Sequence, residues 1–271
     1  MSKRNVPATT PSYQQTTNKL ADTVRHVVDL FAGEKRLIAK AKALGEAEII
    51  KAEAETEAKA IRAGNRLRNR EMRRQENIEQ IVEQAALSLP PPFEQSEAPV
   101  SEDFTDRFFD ESQDITDREM QSLWGKLLAS EVSKPGSFHP TTLRALKYMT
   151  RDDAENFKSV CRFVVTSANE NNLIITNVRD QFYINHGVGF NQLNDLEALG
   201  LLRLETNSGF GVTFVTDQVV TCGNTILKFA KKGERMKIGA VLFTQAGQQL
   251  SQICKMEPVP GFLEHLSDYW K

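Results

Sequence analysis

The sequence predicts an α+β protein, mainly α, with a long coiled-coil-like N-terminal helix, a small helical domain and a C-terminal winged-helix-like module. Three observations predict it. Residues 17–87 hold no proline and are rich in Ala, Glu, Lys, Arg, Gln and Ile, a composition typical of long helices. Residues 104–164 carry helix-start and helix-stop signals that agree with one another. Beyond residue 170 the apolar residues fall in short runs bounded by Gly and Asn, the pattern of strands and hairpins.

Residues 1–16, rich in Pro, Thr, Ser and Gln, read as a disordered tail. Residues 17–89 read as a long charged helix or helices. Within them Ala43, Ala47, Ile50, Ala54, Ala58 and Ile61 recur at three- and four-residue steps. That narrow, alanine-rich stripe buries little area per turn, so the helix needs a partner, either a second copy or the body of the protein. Gly33, Gly45 and Gly64 each cost about 1 kcal/mol relative to alanine in a helix and are candidate kinks. Leu87-Ser-Leu-Pro-Pro-Pro-Phe93 ends the helix, and residues 90–100 read as a stiff linker.

Residues 101–168 read as the helical domain. Phe104, Phe108 and Phe109 share one helix, whose wet face holds Asp103, Asp106, Asp110 and Asp114. Thr116-Asp-Arg-Glu119 reads as a capping box, followed by the apolar stripe Met120, Leu123, Trp124, Leu127, Leu128 and Val132. Trp124, Leu127, Leu128 and Phe108 are the expected core. Lys134-Pro135-Gly136 stops that helix, and His139-Pro140 opens the next with proline at its first turn. Leu143, Leu146 and Met149 follow, and Thr150-Arg-Asp-Asp153 starts a helix carrying Phe157, Val160, Cys161 and Val164.

Residues 169–271 read as the winged-helix-like module. Leu173-Ile-Ile175 and Phe182-Tyr-Ile184 resemble short strands. Phe190, Leu193, Leu196 and Leu199 make a short helix ended by Gly200. Residues 201–204, 211–215, 225–229 and 238–243 are strand candidates, and Thr244 caps a last helix with Leu250, Ile253 and Cys254.

The string Leu123-Trp-Gly-Lys-Leu-Leu-Ala-Ser-Glu131, then Pro135-Gly-Ser-Phe138 and Leu143-Arg-Ala-Leu146, resembles a bacterial family known only as a domain of unknown function. In that family an acidic, Phe-rich helix precedes the tryptophan helix, as Asp103 to Asp110 does here. The likeness is strongest over residues 100–165 and looser beyond. A more distant resemblance is to the Abi-alpha group of abortive-infection proteins, through Leu199-Gly-Leu201 and Thr244-Gln-Ala-Gly247. That likeness implies a role in phage defence, although the long charged helix departs from the group. Neither resemblance supplies catalytic residues.

Charge and chemistry narrow the function classes. Residues 1–90 carry 16 basic and 12 acidic side chains, residues 91–271 carry 18 and 24, so any attraction to anions is local to the front. Cys161, Cys222 and Cys254 are odd in number and far apart in sequence, which fits a reducing compartment rather than a disulfide framework. No signal-peptide core and no run of about 18 apolar residues is present, so a cytoplasmic protein is expected. His26, His139, His186 and His265 are scattered, and no His or Cys pair has metal-ligand spacing. His186, in Asn185-His-Gly-Val-Gly189, is the best-placed of them for a site. No P-loop, dinucleotide fingerprint or nucleophile elbow occurs. Neither an enzyme nor a cofactor is expected.

Arg62, Arg66, Arg68, Arg70, Arg73 and Arg74 crowd into thirteen residues and are candidate nucleic-acid contacts, whose binding would weaken steeply with salt. The helix in the recognition position, 191–199, carries Asp195 and Glu197 and no Lys or Arg, which argues against groove reading. Leu20, Val24, Val27, Val28, Leu30 and Phe31 form an amphipathic patch with few cations and no lipidation motif, so membrane contact would be weak. The expected function is a non-enzymatic interaction scaffold, a homo-oligomer with a further protein partner, in phage defence or stress response. The alternatives are a non-specific nucleic-acid binder and a membrane-associated abortive-infection effector.

Overall fold

A computed structural model describes residues 50–91, 96, 98–167, 170–213, 218–223, 225–229, 233, 235–254 and 256–270. The tail at 1–16, the patch at 20–31, Gly33 and Gly45 lie outside them. The chain is α+β, mainly helical, and forms two compact units, Met1–Ser137 and Phe138–Lys271. The division falls ahead of residue 168, where the change of period suggests one.

In the first unit, α1 (Ile50–Ser88) runs unbroken through Gly64. Among its described side chains, the buried ones lie in its C-terminal half. There Ile78, Ile81 and Ala85 are at most 1% exposed, and α1 lies along α3 (Arg118–Ser133). The helices meet at Gly125, where a Cβ would stand 2.8 Å from the Ala85 backbone nitrogen and 2.5 Å from Gln84 Cβ. Glycine is therefore what allows this approach. α2 (Glu102–Ser112) adds Phe104, Phe108 and Phe109, with the Phe108 ring edge-on to Trp124 at 5.2 Å. Trp124, Leu127, Leu128 and Phe108 are all fully buried.

Three buried polar residues of this core are linked, Asn77, Gln113 and Gln121. Asn77 Nδ2 donates to the Gln113 carbonyl at 2.9 Å, and Gln121 Nε2 donates to Asn77 Oδ1 and the Ile115 carbonyl at 3.2 and 2.9 Å. The cap of α3 is Asp117, not Thr116: its carboxylate accepts from the Glu119 and Met120 N–H groups at 2.9 and 3.0 Å. A charged acceptor suits the positive end of a helix better than a hydroxyl does. After α3 the Pro-Gly turn is held from below by Glu131, 2% exposed, which accepts from the N–H groups of Gly136 and Ser137 at 2.6 and 2.9 Å. In the expected linker, Ser96 N–H donates to the Ser133 carbonyl at 2.7 Å.

The second unit opens with α4 (Pro140–Tyr148), capped by His139, and α5 (Arg151–Cys161), whose capping box pairs Thr150 with Asp153. The α5 helix ends at Cys161, so Val164 belongs not to it but to β1 (Val164–Ser167), which pairs antiparallel with β2 (Glu170–Leu173). Phe182-Tyr-Ile184 is not a strand. It lies in α6 (Gln181–Ile184), capped by Asp180, because both rings turn into an aromatic cluster with Phe163, Phe262 and His265. A three-residue apolar run has too few positions to distinguish the two periods.

After α7 (Phe190–Ala198), Gly200 takes φ +78° and the chain enters β3 (Leu202–Leu204) and β4 (Phe210–Thr213). Next come β5 (Gln218–Cys222), β6 (Thr225–Phe229), β7 (Arg235–Gly239) and β8 (Val241–Phe243). The expected strand at 238–243 is thus split: Ala240 N–H leaves the ladder to donate to the Ile175 carbonyl at 2.7 Å. β3 pairs with β8, β4 with β7, and β5 and β6 join β1 and β2 in the order β2-β1-β5-β6. Ile175 bridges Val241. Thr244 caps α8 (Gln245–Ile253), which is not the last helix, since α9 (Phe262–Tyr269) follows.

Candidate functional site

Two places stand out, one in each unit. The first is the outer half of α1. Ala58, Ile61 and Met72 are exposed there, Ile61 and Met72 each at 56%. Eleven residues separate those two, about three turns, so they share a face. Ile81 lies nine residues beyond Met72, about half a turn round, so this stripe points away from the packed one. The apolar pattern read as far as Ile61 continues, one three-turn interval on, to Met72.

Beside that stripe runs a basic face. Arg62, Arg66, Arg70 and Arg73 fall within about a quarter-turn of one another, with Arg68 apart. All five are exposed. Arg74 is different: Nε and Nη2 clamp Asp114 at 2.8 Å each and Nη1 reaches Glu71 at 3.2 Å. The Asp114 hydrogen bonds hold its pKa above the ordinary value. Its charge is thereby paired within the unit.

The second place is a cleft of about 790 Å³ in the second unit. It lies between the end of α5, β1, β5, the end of α8 and residues 256–264, and all three cysteines line it. None is in a disulfide. Burial pushes the Cys161 thiol well up, with a hydrogen-bonding Cys254 thiol adding to the rise, and burial also raises Cys222. Polar groups on the walls pair locally, Asn171 Nδ2 donating to Ser251 Oγ at 3.2 Å. Nothing in the spacing of residues 161, 222 and 254 announces this convergence, which depends on strand pairing and on the return of the chain after α8.

His186 is half-buried. Its Nδ1 is 2.7 Å from the Phe182 carbonyl oxygen, and its ring packs on Phe182 and Phe163, so it belongs to the aromatic cluster. His139 caps α4. Tyr183, in the same cluster, is pushed up to about 12 by burial, against the opposing hydrogen bonds to Thr176. Among the described residues no group of three or more His, Cys, Asp or Glu could hold a metal ion, and no helix is long and apolar enough to cross a membrane.

The fold also joins the two motifs at 199–201 and 244–247. Thr244 Oγ1 donates to the Gly200 carbonyl at 2.6 Å and Thr244 N–H to the Leu201 carbonyl at 3.0 Å. A Cβ at Gly247 would collide with that same Leu201 oxygen. The pair of motifs is a helix-to-strand clasp, which accounts for its residues without any ligand.

Compared with known proteins, residues 61–267 match the model of a family described as a protein of unknown function, DUF2806. No curated protein and no solved structure matches.

Proposed function

The chain belongs to the DUF2806 family, and from that premise we propose that it is a non-enzymatic scaffold of the cytoplasm that self-associates through α1. The carrying observation is the contrast along one helix, with Ile78 and Ile81 at 1% and 0% exposure and Ile61 and Met72 at 56%. Each of the latter two side chains is 56% exposed, so burying it against a second copy gains about 1–1.5 kcal/mol, roughly half the value for a fully exposed one. Self-association along a seam of this kind is coiled-coil-like pairing, and it multiplies the affinity of whatever the second unit binds.

The second unit is read as a winged-helix-like module. What supports this is the bridge from Ile175 to Val241, which sets a third strand beside β8 and β3. The order α5, Ile175, α6, α7, β3, β8 then follows the winged-helix sequence. Its recognition-position helix exposes Phe190, Asn191, Asp195 and Glu197. Asp195 and Glu197 lie on nearly opposite sides of that helix, Glu197 accepting from the Leu204 N–H at 2.7 Å. Two carboxylates with no cation suit a protein partner better than phosphate. The likeness to Abi-alpha proteins makes phage defence the context to test.

Light scattering on the full chain tests the scaffold. A discrete oligomer is expected, free of nucleic acid by its absorbance at 260 and 280 nm, and Ile61→Glu with Met72→Glu should return it to monomer with the near-UV signal of the Trp124 core retained. A monomeric wild-type chain, or a double variant of unchanged mass, would refute self-association by this stripe. Nucleic acid released by salt and lost when Arg62, Arg66, Arg70 and Arg73 become Gln would favour the basic face instead.

A further inference from the structure

The cysteine cleft carries an inference independent of self-association. Cys161 is the last residue of α5 and Cys254 caps the end of α8. The chain after α8 folds back onto the end of α5. Val259 N–H donates to the Arg162 carbonyl at 3.3 Å, and Arg162 Nε donates to the Glu257 carbonyl at 3.4 Å. Those bonds pin the segment following Cys254 to the residue following Cys161, and both cysteines line the same cleft. Cys222 is turned elsewhere: its thiol donates to the Val164 carbonyl at 3.4 Å.

We propose that Cys161 and Cys254 are a peroxide-modified thiol pair, closing to a reversible disulfide in the wall of the cleft. Accessibility sets the order of events. Cys254 is half-buried, whereas Cys161 is 6% exposed and Cys222 8%. The Cys254 sulfur, as thiolate, attacks one oxygen of hydrogen peroxide and the O–O bond breaks. The sulfur keeps one OH as a sulfenic acid, and the other oxygen leaves as water after taking a proton. The Cys161 sulfur, giving up its proton, then attacks the Cys254 sulfur. The S–O bond breaks, a second water leaves and the S–S bond forms. The sulfur pair loses two electrons and the peroxide is reduced to two waters. Burial raises the pKa of the Cys161 thiol, which disfavours it as the thiolate that meets peroxide first.

The bridge would staple the end of α5 to the end of α8, two walls of the cleft. The test treats the reductant-free full chain with hydrogen peroxide and counts thiols after denaturation. The count should fall from three to one, return to three with a dithiol reductant, and peptide mapping should link Cys161 to Cys254. Cys222→Ser should leave the link intact. Cys254→Ser, at a half-exposed position that spares the core, should abolish it and keep both remaining thiols. Cys161→Ser should leave Cys254 as a sulfenic acid trapped by dimedone. A bridge involving Cys222, a disulfide between two copies, or three intact thiols after treatment would overturn the assignment.

Discussion

Trp124→Ala is expected to lower the unfolding free energy of the first unit by about 4 kcal/mol, read as a lower urea midpoint at unchanged slope. The side chain is fully buried and the Phe108 ring stands edge-on to it at 5.2 Å. Removal therefore leaves a cavity walled by aromatic and aliphatic groups too large to collapse into it. Trp124→Phe separates packing from polarity. The indole Nε1 is buried without a hydrogen-bond partner, so phenylalanine sheds a desolvation cost while losing only part of the volume. A loss of about 1 kcal/mol is expected. An unchanged midpoint in the alanine variant would show that the tryptophan does not belong to this core.

The second large effect is expected at Gly125, where two tendencies oppose each other. Alanine improves on glycine in a helix by about 1 kcal/mol. Here, however, the new methyl would meet the Ala85 backbone nitrogen and Gln84 Cβ at 2.8 and 2.5 Å. Neither is the loose end of a flexible side chain, so the two helices must part. Overpacking against backbone costs about 3 kcal/mol or more, and the clash wins. Gly125→Ala is expected to destabilise the unit by about 2 kcal/mol, and Gly125→Leu to prevent α1 from docking, visible as loss of near-UV signal from Trp124 with helical far-UV signal retained. A stabilised alanine variant would place the helix crossing elsewhere.

The helix starts were legible where the capping side chain and the N–H it accepts from lie within three residues of each other. His139 before Pro140, Thr150 with Asp153, and Thr244 all act as caps. The Thr116 reading missed by one residue because Asp117 offered a stronger acceptor beside it. Long-range partners decided the rest. Residues 182–184 became helical because their rings pack on Phe163, Phe262 and His265, which lie 19 to 83 residues away. Glu131 carried a local signal, a glutamate just ahead of a Pro-Gly turn, yet only its burial reveals that it holds the turn's N–H groups. The glycine inside the tryptophan stripe was a similar sign, since a mid-helix glycine among good helix formers invites a packing reason. The cysteine convergence left no trace in sequence.

The half-packed state of α1 has a consequence for its motions. The turns of α1 around Ile81 are docked, whereas those carrying Ala58 and Ile61 expose these side chains and gain less from packing. Opening free energies along it should therefore grade from near zero at the outer turns to the unit's full stability around Ile81. Compared with the docked turns, those around Ile61 are expected to exchange their amide hydrogens faster. Any second surface that lies along them captures this fluctuating segment in its helical form, so binding and local folding there become one event.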